Sequence, residues 1–171
     1  MTEQTGTTGE PLGYEYRGLI PESWDVLRAN APQWPDVDFY RQIILGAGQP
    51  TLDVGCATGR LLLAYLEAGI DTDGVDVSPE MLAVVRRKAA ARGLDASRRL
   101  FRQSMDELAL PRRYRTIVVS SSTFQLLTEP EAAAAALRRF AQHLEPGGSP
   151  PTSRTTRWCT PAPAAGASPA A

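Results

Sequence analysis

The stretch from Leu52 to Arg60 has the sequence LDVGCATGR, and it decides the fold of the chain. The run Thr51–Val54 is short and apolar, as in a buried strand, and Arg60–Ala68 has the apolar spacing of a helix. Gly55 and Gly59 lie between them, where glycine lets the backbone turn sharply and lets another group approach closely. The stretch therefore predicts a strand, a tight turn and a helix, and ligands of parallel sheets bind beyond such strand ends.

The chain after this stretch continues to alternate between strand and helix. Further strands are predicted at Thr72–Val77, Leu100–Gln103 and Tyr114–Ser120, and further helices at Pro79–Arg92 and Glu131–Leu144. Alternation with short loops is typical of a parallel sheet with right-handed crossovers. We therefore predict an α/β fold with a Rossmann-like, doubly wound parallel sheet.

Composition divides the chain into four parts. Residues 1–12 are polar and predict a disordered leader, residues 13–48 predict an aromatic-rich helical cap, and residues 49–148 form the Rossmann-like core. Residues 149–171 contain five prolines and six alanines but no Leu, Ile, Val, Phe or Met. Such a segment buries too little apolar surface to offset its ordering entropy, so we expect a disordered tail.

Charge and cysteine content exclude several classes of protein. The net charge of -1 gives no basic field for nucleic acid. Cys56, Cys159 and the single histidine, His143, are too few for a structural zinc site or a disulfide framework, which fits a reducing cytoplasm. No apolar run approaches the roughly 20 residues that span a bilayer. We expect a cytoplasmic protein with no metal, no nucleic-acid partner and no membrane partner.

The glycine turn also indicates the type of ligand. A dinucleotide fingerprint has the spacing G-x-G-x-x-G, with backbone N–H groups facing a pyrophosphate. Here the spacing is G-x-A-x-G, with Ala57 small enough to keep the space open, and Asp53 precedes it. A carboxylate there repels a diphosphate and favours a cationic ligand that carries an ammonium and a sulfonium. The turn therefore favours S-adenosylmethionine over NAD, although a plain strand–helix turn is the simpler alternative.

A second motif, GVDVSPEML, runs from Gly74 to Leu82. Asp76 ends the next predicted strand, 17 residues after Gly59, and an acid about 20 residues after the turn is placed to accept hydrogen bonds from ribose hydroxyls. Ser78 is suited to cap the following helix whether or not Asp76 binds a ligand. Met81 is either a soft surface for adenine or a core methionine.

With the segments that follow, these motifs resemble those of class I S-adenosylmethionine-dependent methyltransferases, in particular the small bacterial methyltransferase-domain enzymes. The resemblance covers residues 36–148 and rests on five ordered segments: Leu52–Gly59, Gly74–Leu82, Phe101–Leu108, Tyr114–Val119 and Leu137–Gly148.

The resemblance implies a set of cofactor-binding residues. It places Asp53 and the backbone of Gly55 and Cys56 against the methionine moiety, and Asp76 against the ribose. The other implied residues come from the turn, the second motif and the loop after the third strand: Ala57, Gly59, Val77, Met81, Ser104, Met105 and Asp106. Ser104 is neutral where the family often has an aspartate, so contact with the adenine amino group falls to Asp106 or the Met105 backbone.

No residue is predicted as a catalytic base. His143 is of the right chemical type, but it lies late on a predicted helix, where a cation complements the helix C-terminus. Cys56 is interpreted as a small loop side chain. Ser120 and Ser121 follow the fourth strand, where they either face the ligand or only begin a polar loop.

The aromatic N-terminal segment has two interpretations. Tyr14 and Tyr16 are candidates for a lid over the ligand pocket. Alternatively, the aromatic side chains only pack two helices, predicted at Ser23–Ala29 and Asp36–Leu45, onto the sheet. The aromatic residues concerned in that case are Trp24, Trp34, Phe39 and Tyr40.

The resemblance also implies seven strands, and the sequence has apolar runs for only four. We expect strands five to seven to be missing, so that Ile117, Val118 and Val119 lie on an exposed edge through which the chain self-associates. The abrupt change at Ser149 suggests a frameshift or truncation, which is tested by searching the other two reading frames for an apolar strand after Gly148.

The sequence therefore predicts methyl transfer from S-adenosylmethionine to an unidentified small-molecule acceptor. The alternative is an inactive cofactor-binding fragment, or an interaction protein, that lacks the far half of the sheet. An NAD-dependent oxidoreductase is disfavoured by Asp53 and by the spacing of the turn.

Overall fold

The structure, a computed structural model, describes residues 15–29, 36–120 and 122–145. The leader and tail predictions, and the side chains of Tyr14, Trp34 and Ser121, lie outside these residues. Within them, no helix is both long and apolar enough to cross a membrane.

Four strands form one sheet: β1 (Thr51–Val54), β2 (Thr72–Asp76), β3 (Leu100–Arg102) and β4 (Thr116–Val119). Their order is β3-β2-β1-β4, and each pairing is parallel. All four residues of the central strand β1 are buried, as expected for a parallel strand covered on both faces. The predicted α/β fold with a parallel sheet is confirmed.

Helices precede the sheet and connect its strands. They are α1 (Leu19–Ala29), α2 (Asp36–Ala47), α3 (Arg60–Glu67), α4 (Pro79–Ala91) and α5 (Pro130–His143), with a short 3-10 helix at Thr123–Leu126. Ser78 caps α4 as predicted, because its hydroxyl accepts the N–H of Met81 at 3.2 Å.

Most boundaries agree with the prediction to within two residues, and the differences at α1 and β4 have physical causes. Helix α1 begins four residues earlier than predicted, at Leu19. Pro21 is tolerated there because it lies in the first turn, where a missing N–H removes no helical bond. Strand β4 begins two residues later than predicted, since Tyr114 instead forms an isolated bridge with Leu144. The 3-10 helix was not predicted.

Helices cover both faces of the sheet. Helix α5 packs on one face, where Phe140 and Ala136 contact a buried cluster that includes Leu52 and Val54. Helices α2, α3 and α4 cover the other face through two buried clusters, which contain Leu62, Leu63, Leu82 and Val85 in one and Tyr40, Ile44, Leu61, Tyr65 and Val118 in the other. The core is therefore divided by the sheet, as in other three-layer α/β domains.

Strand β4 is less exposed than predicted. Val118 is buried in the cluster beside α2, and Ile117 and Val119 are half-buried against the cluster beside α5. The expectation of an unprotected apolar strand is therefore wrong for its side chains, because helices cover both of its faces. Among the described strands, β4 pairs only with β1. Self-association through its backbone edge stays a prediction.

A polar network that the sequence did not predict joins β2 to the loop before β4. The buried carboxylate of Asp73 accepts hydrogen bonds from Arg112 Nε at 2.7 Å and from the Tyr114 hydroxyl at 2.9 Å. Hydrogen bonds from Arg112 also lower the pKa of Asp71 to about 2. Since its charges are paired, the network fixes this loop at the amino end of the sheet.

Gly74→Ala is expected to lower the free energy of unfolding by about 1–3 kcal/mol, because it overpacks the centre of the sheet. A Cβ at Gly74 would lie 2.9 Å from both Cys56 Sγ and a methyl carbon of Leu62. Urea denaturation measures the loss. Gly46→Ala in α2 is the control, since its added Cβ has no heavy atom within 4 Å apart from its chain neighbours and the backbone of its own helix. Equal losses in the two variants would contradict the packing argument.

Candidate functional site

A cavity of about 280 Å³ lies beyond the carboxyl ends of the strands. Its walls come from the N-terminal segment, the turn after β1, the end of β2, the loop after β3 and the segment after β4. The lining residues are Tyr16, Trp24, Asp25, Asp53, Val54, Gly55, Cys56, Ala57, Thr58, Arg60, Leu61, Val75, Asp76, Val77, Gln103, Met105, Ser120, Ser122, Thr123 and Leu126. Parallel α/β sheets bind their ligands at this edge.

The turn after β1 depends on its glycines. The N–H groups of Gly55 and Cys56 both donate to the carbonyl of Val75, at 2.8 and 3.1 Å. Gly55 and Gly59 are left-handed, with φ of 70° and 83°, a conformation that costs other residues energy. A side chain at Gly55 would also overlap that of Thr123 in the 3-10 helix. The turn therefore lies close to both β2 and the segment after β4.

Asp53 lines the cavity and has a buried carboxylate oxygen without a hydrogen-bond partner among the described residues. The residue is only 1% exposed, and the oxygen is its Oδ1. Burial raises the pKa of Asp53 to about 7, although the charge of Arg60 and the N–H of Leu62 oppose the shift. A buried acceptor that lacks a partner is costly, so this oxygen is suited to a cationic donor entering the cavity.

Asp76 joins the turn to the end of β2. Its Oδ2 accepts the N–H of Ala57 at 2.8 Å, and its Oδ1 accepts the N–H of Ser78 at 2.9 Å. Ala57 is left-handed, with φ of 46°, so this bond holds a backbone conformation that alanine does not favour. Burial raises the pKa of Asp76, and the backbone N–H groups oppose the shift. The carboxylate therefore shapes the turn while it lines the cavity.

The structure brings most of the predicted binding residues together. Seven of the eleven line the cavity: Asp53, Gly55, Cys56, Ala57, Asp76, Val77 and Met105. The others, Gly59, Met81, Ser104 and Asp106, are not among the lining residues. The methionine and ribose parts of the prediction therefore share one cavity, while most of the residues predicted for adenine lie outside its walls.

The residues outside the cavity have other contacts. Met81 is fully buried in the core, so the core alternative describes it better than a contact with adenine. The Ser104 hydroxyl donates to Asp106, which makes these two side chains partners of each other. A Cβ at Gly59 would lie about 3 Å from side-chain atoms of Leu63 and Val85, so this glycine is needed for helix packing.

Sequence reasoning missed several polar residues of the cavity wall, among them Asp25, Thr58 and Arg60. The Arg60 guanidinium binds both carboxylate oxygens of Asp36, at 2.6 and 2.8 Å. Arg60 directly follows Gly59, and this position in the motif indicates that it lies near the ligand site. Asp25 and Asp36 lie far from the turn in the sequence, and no sequence pattern places them there.

The aromatic segment agrees only in part with either interpretation. Tyr16 and Trp24 line the cavity, and their ring centroids are 4.8 Å apart; a lid stays a prediction. Tyr40 packs in the core as the packing interpretation expects, whereas Phe39 is 47% exposed.

Neither Cys56 nor His143 is placed as a catalytic group. Burial raises the pKa of the Cys56 thiol well above its ordinary value, so the thiolate form is disfavoured. The N–H of Leu110 donates to His143 Nε2 at 3.0 Å, and Nδ1 lies 2.8 Å from the Arg139 carbonyl. This geometry needs a neutral ring that is protonated at Nδ1. The interpretation of His143 as a helix-terminal cation is therefore wrong, although its function is structural as expected.

A parallel sheet with a left-handed turn and two acids at adjacent strand ends is the arrangement of a Rossmann-like domain. Comparison with known proteins gives the family: residues 51–148 match the model described as "Methyltransferase domain". The match covers more than half of the chain, and the chain therefore belongs to the methyltransferase domain family. The resemblance seen in the sequence is confirmed.

The chain is similar to several characterised methyltransferases. It is 35% identical over 102 residues to the cypemycin N-terminal methyltransferase of Streptomyces sp, covering 60% of this chain and 40% of the relative. It is 35% identical over 136 residues to dTDP-3-amino-3,4,6-trideoxy-alpha-D-glucopyranose N,N-dimethyltransferase of Streptomyces venezuelae, covering 80% and 49%. The chain spans about half of the length of these two relatives, or less.

Solved structures agree with the fold. The glycopeptide N-methyltransferase MtfA, in its complex with S-adenosyl-L-methionine, superimposes with a TM-score of 0.59 at 27% identity. The superposition covers 66% of this chain and 50% of MtfA.

Proposed function

We propose that the cavity binds S-adenosylmethionine and that the protein transfers its methyl group to an amine nitrogen of a small molecule. The observation that carries the proposal is a pair of acids that line the cavity at adjacent strand ends: Asp76, and Asp53 with its buried oxygen that lacks a hydrogen-bond partner among the described residues. A pyrophosphate would be repelled by this pair, whereas a ligand with a cationic amino-acid end and a ribose complements it.

Three charged groups of the wall have a function in this proposal. Asp53 Oδ1 accepts from the ammonium of the methionine moiety, since it lacks any other donor among the described residues. Arg60, which Asp36 holds in place, supplies a cation toward the carboxylate of that moiety. Asp76 accepts from the ribose hydroxyls in addition to its two backbone donors. The residues present therefore fit the cofactor.

When bound, S-adenosylmethionine supplies a methyl group activated by the sulfonium. The chain positions this group and limits its access to water, with Tyr16 and Trp24 covering one side of the cavity. In the transfer, the acceptor nitrogen forms a bond to the methyl carbon as the carbon–sulfur bond breaks, and sulfur keeps that electron pair. The proton on the methylated nitrogen then leaves to solvent.

An amine is the acceptor that best matches this cavity. Its side-chain bases within the described residues are Asp25, Asp53 and Asp76, and each already has a partner or a proposed binding function. A neutral amine carries its own lone pair and needs no base to activate it, unlike an alcohol. The two relatives described above are named as methyltransferases that act at an N-terminus or an amino sugar, whereas two others are named as ubiquinone biosynthesis O-methyltransferases. The choice of an amine therefore rests on the cavity.

Calorimetric titration tests the cofactor, and turnover tests the acceptor. We expect the chain to bind S-adenosylmethionine and S-adenosylhomocysteine and not NAD. Binding of NAD alone would contradict the proposal. Mass spectrometry should then show methylation of amino sugars or peptide N-termini, and none of matched hydroxyl compounds. Cofactor binding without turnover on any acceptor would favour the inactive-fragment alternative.

A further inference from the structure

Helix α1 lies against the cavity, and most of its large aliphatic side chains face solvent. Leu19, Val26 and Leu27 are 85%, 71% and 71% exposed, and burial of these side chains therefore contributes little to the docking of the helix. Pro21 is buried and Trp24 is half-buried, and polar contacts add to what these two residues contribute.

Asp25 of α1 forms a closed set of contacts with two other elements. Its Oδ1 accepts the Thr58 hydroxyl at 2.7 Å, and its Oδ2 accepts Lys88 Nζ at 2.7 Å. Lys88 Nζ also donates to the Thr58 carbonyl at 2.9 Å. Three residues from α1, the glycine turn and α4 thus bind one another pairwise.

These contacts are better protected than the other ion pair of α1 with α4. The Thr58 residue is 1% exposed, and the Lys88 and Asp25 side chains are 25% and 50% exposed, whereas the side chains of Glu22 and Arg87 are 63% and 61% exposed. Burial alone would raise the pKa of Asp25, but hydrogen bonds from Lys88 and Thr58 outweigh it and keep the pKa below its ordinary value. Asp25 is therefore an anion at neutral pH, and exposed pairs such as Glu22–Arg87 contribute little.

Thr58 connects the contacts of Asp25 and Lys88 to the glycine turn at the cavity. Thr58 follows Ala57, whose N–H is held by Asp76, and both residues line the cavity beside Asp25. The turn is therefore fixed from the sheet side by Asp76 and from the α1 side by Asp25.

We infer that Asp25, through Thr58 and Lys88, is a positioning residue that couples docking of α1 to binding of the cofactor by the glycine turn. The inference rests on the proposed function for the identity of the ligand. Docking of α1 orders the turn for the ligand, and an ordered turn in return retains α1 and its Trp24 over the cavity.

The first test needs no ligand. Hydrogen exchange of the α1 amides is compared in the full-length chain and in its Asp25→Ala variant, with Glu22→Gln as a matched control on the same helix. We expect exchange about tenfold faster in Asp25→Ala and less than about threefold faster in Glu22→Gln. Equal exchange in all three proteins would overturn the inference, whatever the ligand is.

The second test uses S-adenosylhomocysteine as the probe. We expect Asp25→Ala to weaken its binding about tenfold and Asp25→Asn to weaken it less, because asparagine still accepts from Thr58. The ligand should slow exchange in α1 of the unchanged protein and have little such effect in Asp25→Ala. A loss of affinity with α1 still protected by ligand would contradict the coupling. Failure of the unchanged protein to bind the probe would instead contradict the proposed function.

A third comparison separates positioning from general stability. Asp25→Ala and Lys88→Met remove the same ion pair, so their effects on binding should be strongly non-additive, whereas those of Asp25→Ala and Glu22→Gln should add. Additive effects of Asp25→Ala and Lys88→Met would show that the two residues act separately and would overturn the inference.

Discussion

Asp53→Asn is expected to weaken binding of S-adenosylhomocysteine about 100-fold at pH 8, which is close to 3 kcal/mol. The change preserves the shape of the side chain and removes the charge that faces the ligand ammonium. A buried, charge-assisted hydrogen bond without competing donors is among the strongest single contacts available to a protein. Isothermal titration calorimetry at fixed salt measures the effect.

The affinity of the unchanged protein should also depend on pH. Burial raises the pKa of Asp53 to about 7, so the carboxylate is mostly ionised at pH 8 and mostly protonated at pH 5.5. Cofactor affinity is therefore expected to fall as the pH decreases through 7, and this dependence should be absent in Asp53→Asn. An equally steep dependence in both proteins would assign the titration to another group.

The stability of the ligand-free protein should change in the opposite direction. A carboxyl whose pKa is raised from 3.8 to about 7 binds its proton more tightly in the folded state than in the unfolded state. The folded state therefore loses stability as the pH rises from about 4 to 7, by about 2 kcal/mol between pH 5.5 and pH 8. Asp53→Asn removes this contribution. As the pH rises from 5.5 to 8, the unfolding free energy of the variant should therefore increase by about 2 kcal/mol relative to that of the unchanged protein.

Urea denaturation of both proteins at the two pH values tests this linkage. Groups that the proteins share contribute equally and cancel in the comparison. A constant difference across the pH range would show that Asp53 is not buried as a titrating carboxyl. Asp53 thus illustrates a residue that favours ligand binding at the expense of stability.

Local sequence patterns were sufficient for most of the fold. The apolar run of β1, the glycines after it and the Ser78–Pro79 cap of α4 each act within a few residues, and the structure has those elements where they were predicted. Alternation of strand and helix then indicated parallel pairing, because a helix between two strands returns the chain to the end of the sheet where the first strand began. The same reasoning placed Asp53 and Asp76 at adjacent strand ends.

What the sequence could not provide depends on contacts between distant segments. Asp25 reaches Thr58 across 33 residues, and Asp36 reaches Arg60 across 24. No periodicity links such pairs, because their geometry is set only when the helices pack. Met81 shows the converse limit, since helical spacing places a side chain on a face but does not say whether core or ligand covers it.

Asp76→Ala is expected to have a similarly large effect on the cofactor, with two physical causes. The variant loses the acceptor proposed for the ribose hydroxyls, worth about 1.5–3 kcal/mol. It also releases the N–H of Ala57, which Asp76 holds at 2.8 Å in a left-handed conformation. Binding of S-adenosylhomocysteine should therefore weaken by at least about tenfold, and by more if the turn loses its order.

A pair of ligands separates the two causes. Adenosine and 2′,3′-dideoxyadenosine differ only in the hydroxyls proposed to contact Asp76, and both compete with S-adenosylhomocysteine for the cavity. The unchanged protein should prefer adenosine by about tenfold or more, and Asp76→Ala should bind the two compounds alike. If the variant weakens both and keeps the preference, Asp76 acts only by holding the turn at Ala57 and Ser78. The ribose would then contact another part of the wall, and the polar side chain of Gln103, which also lines the cavity, would be the next candidate to replace.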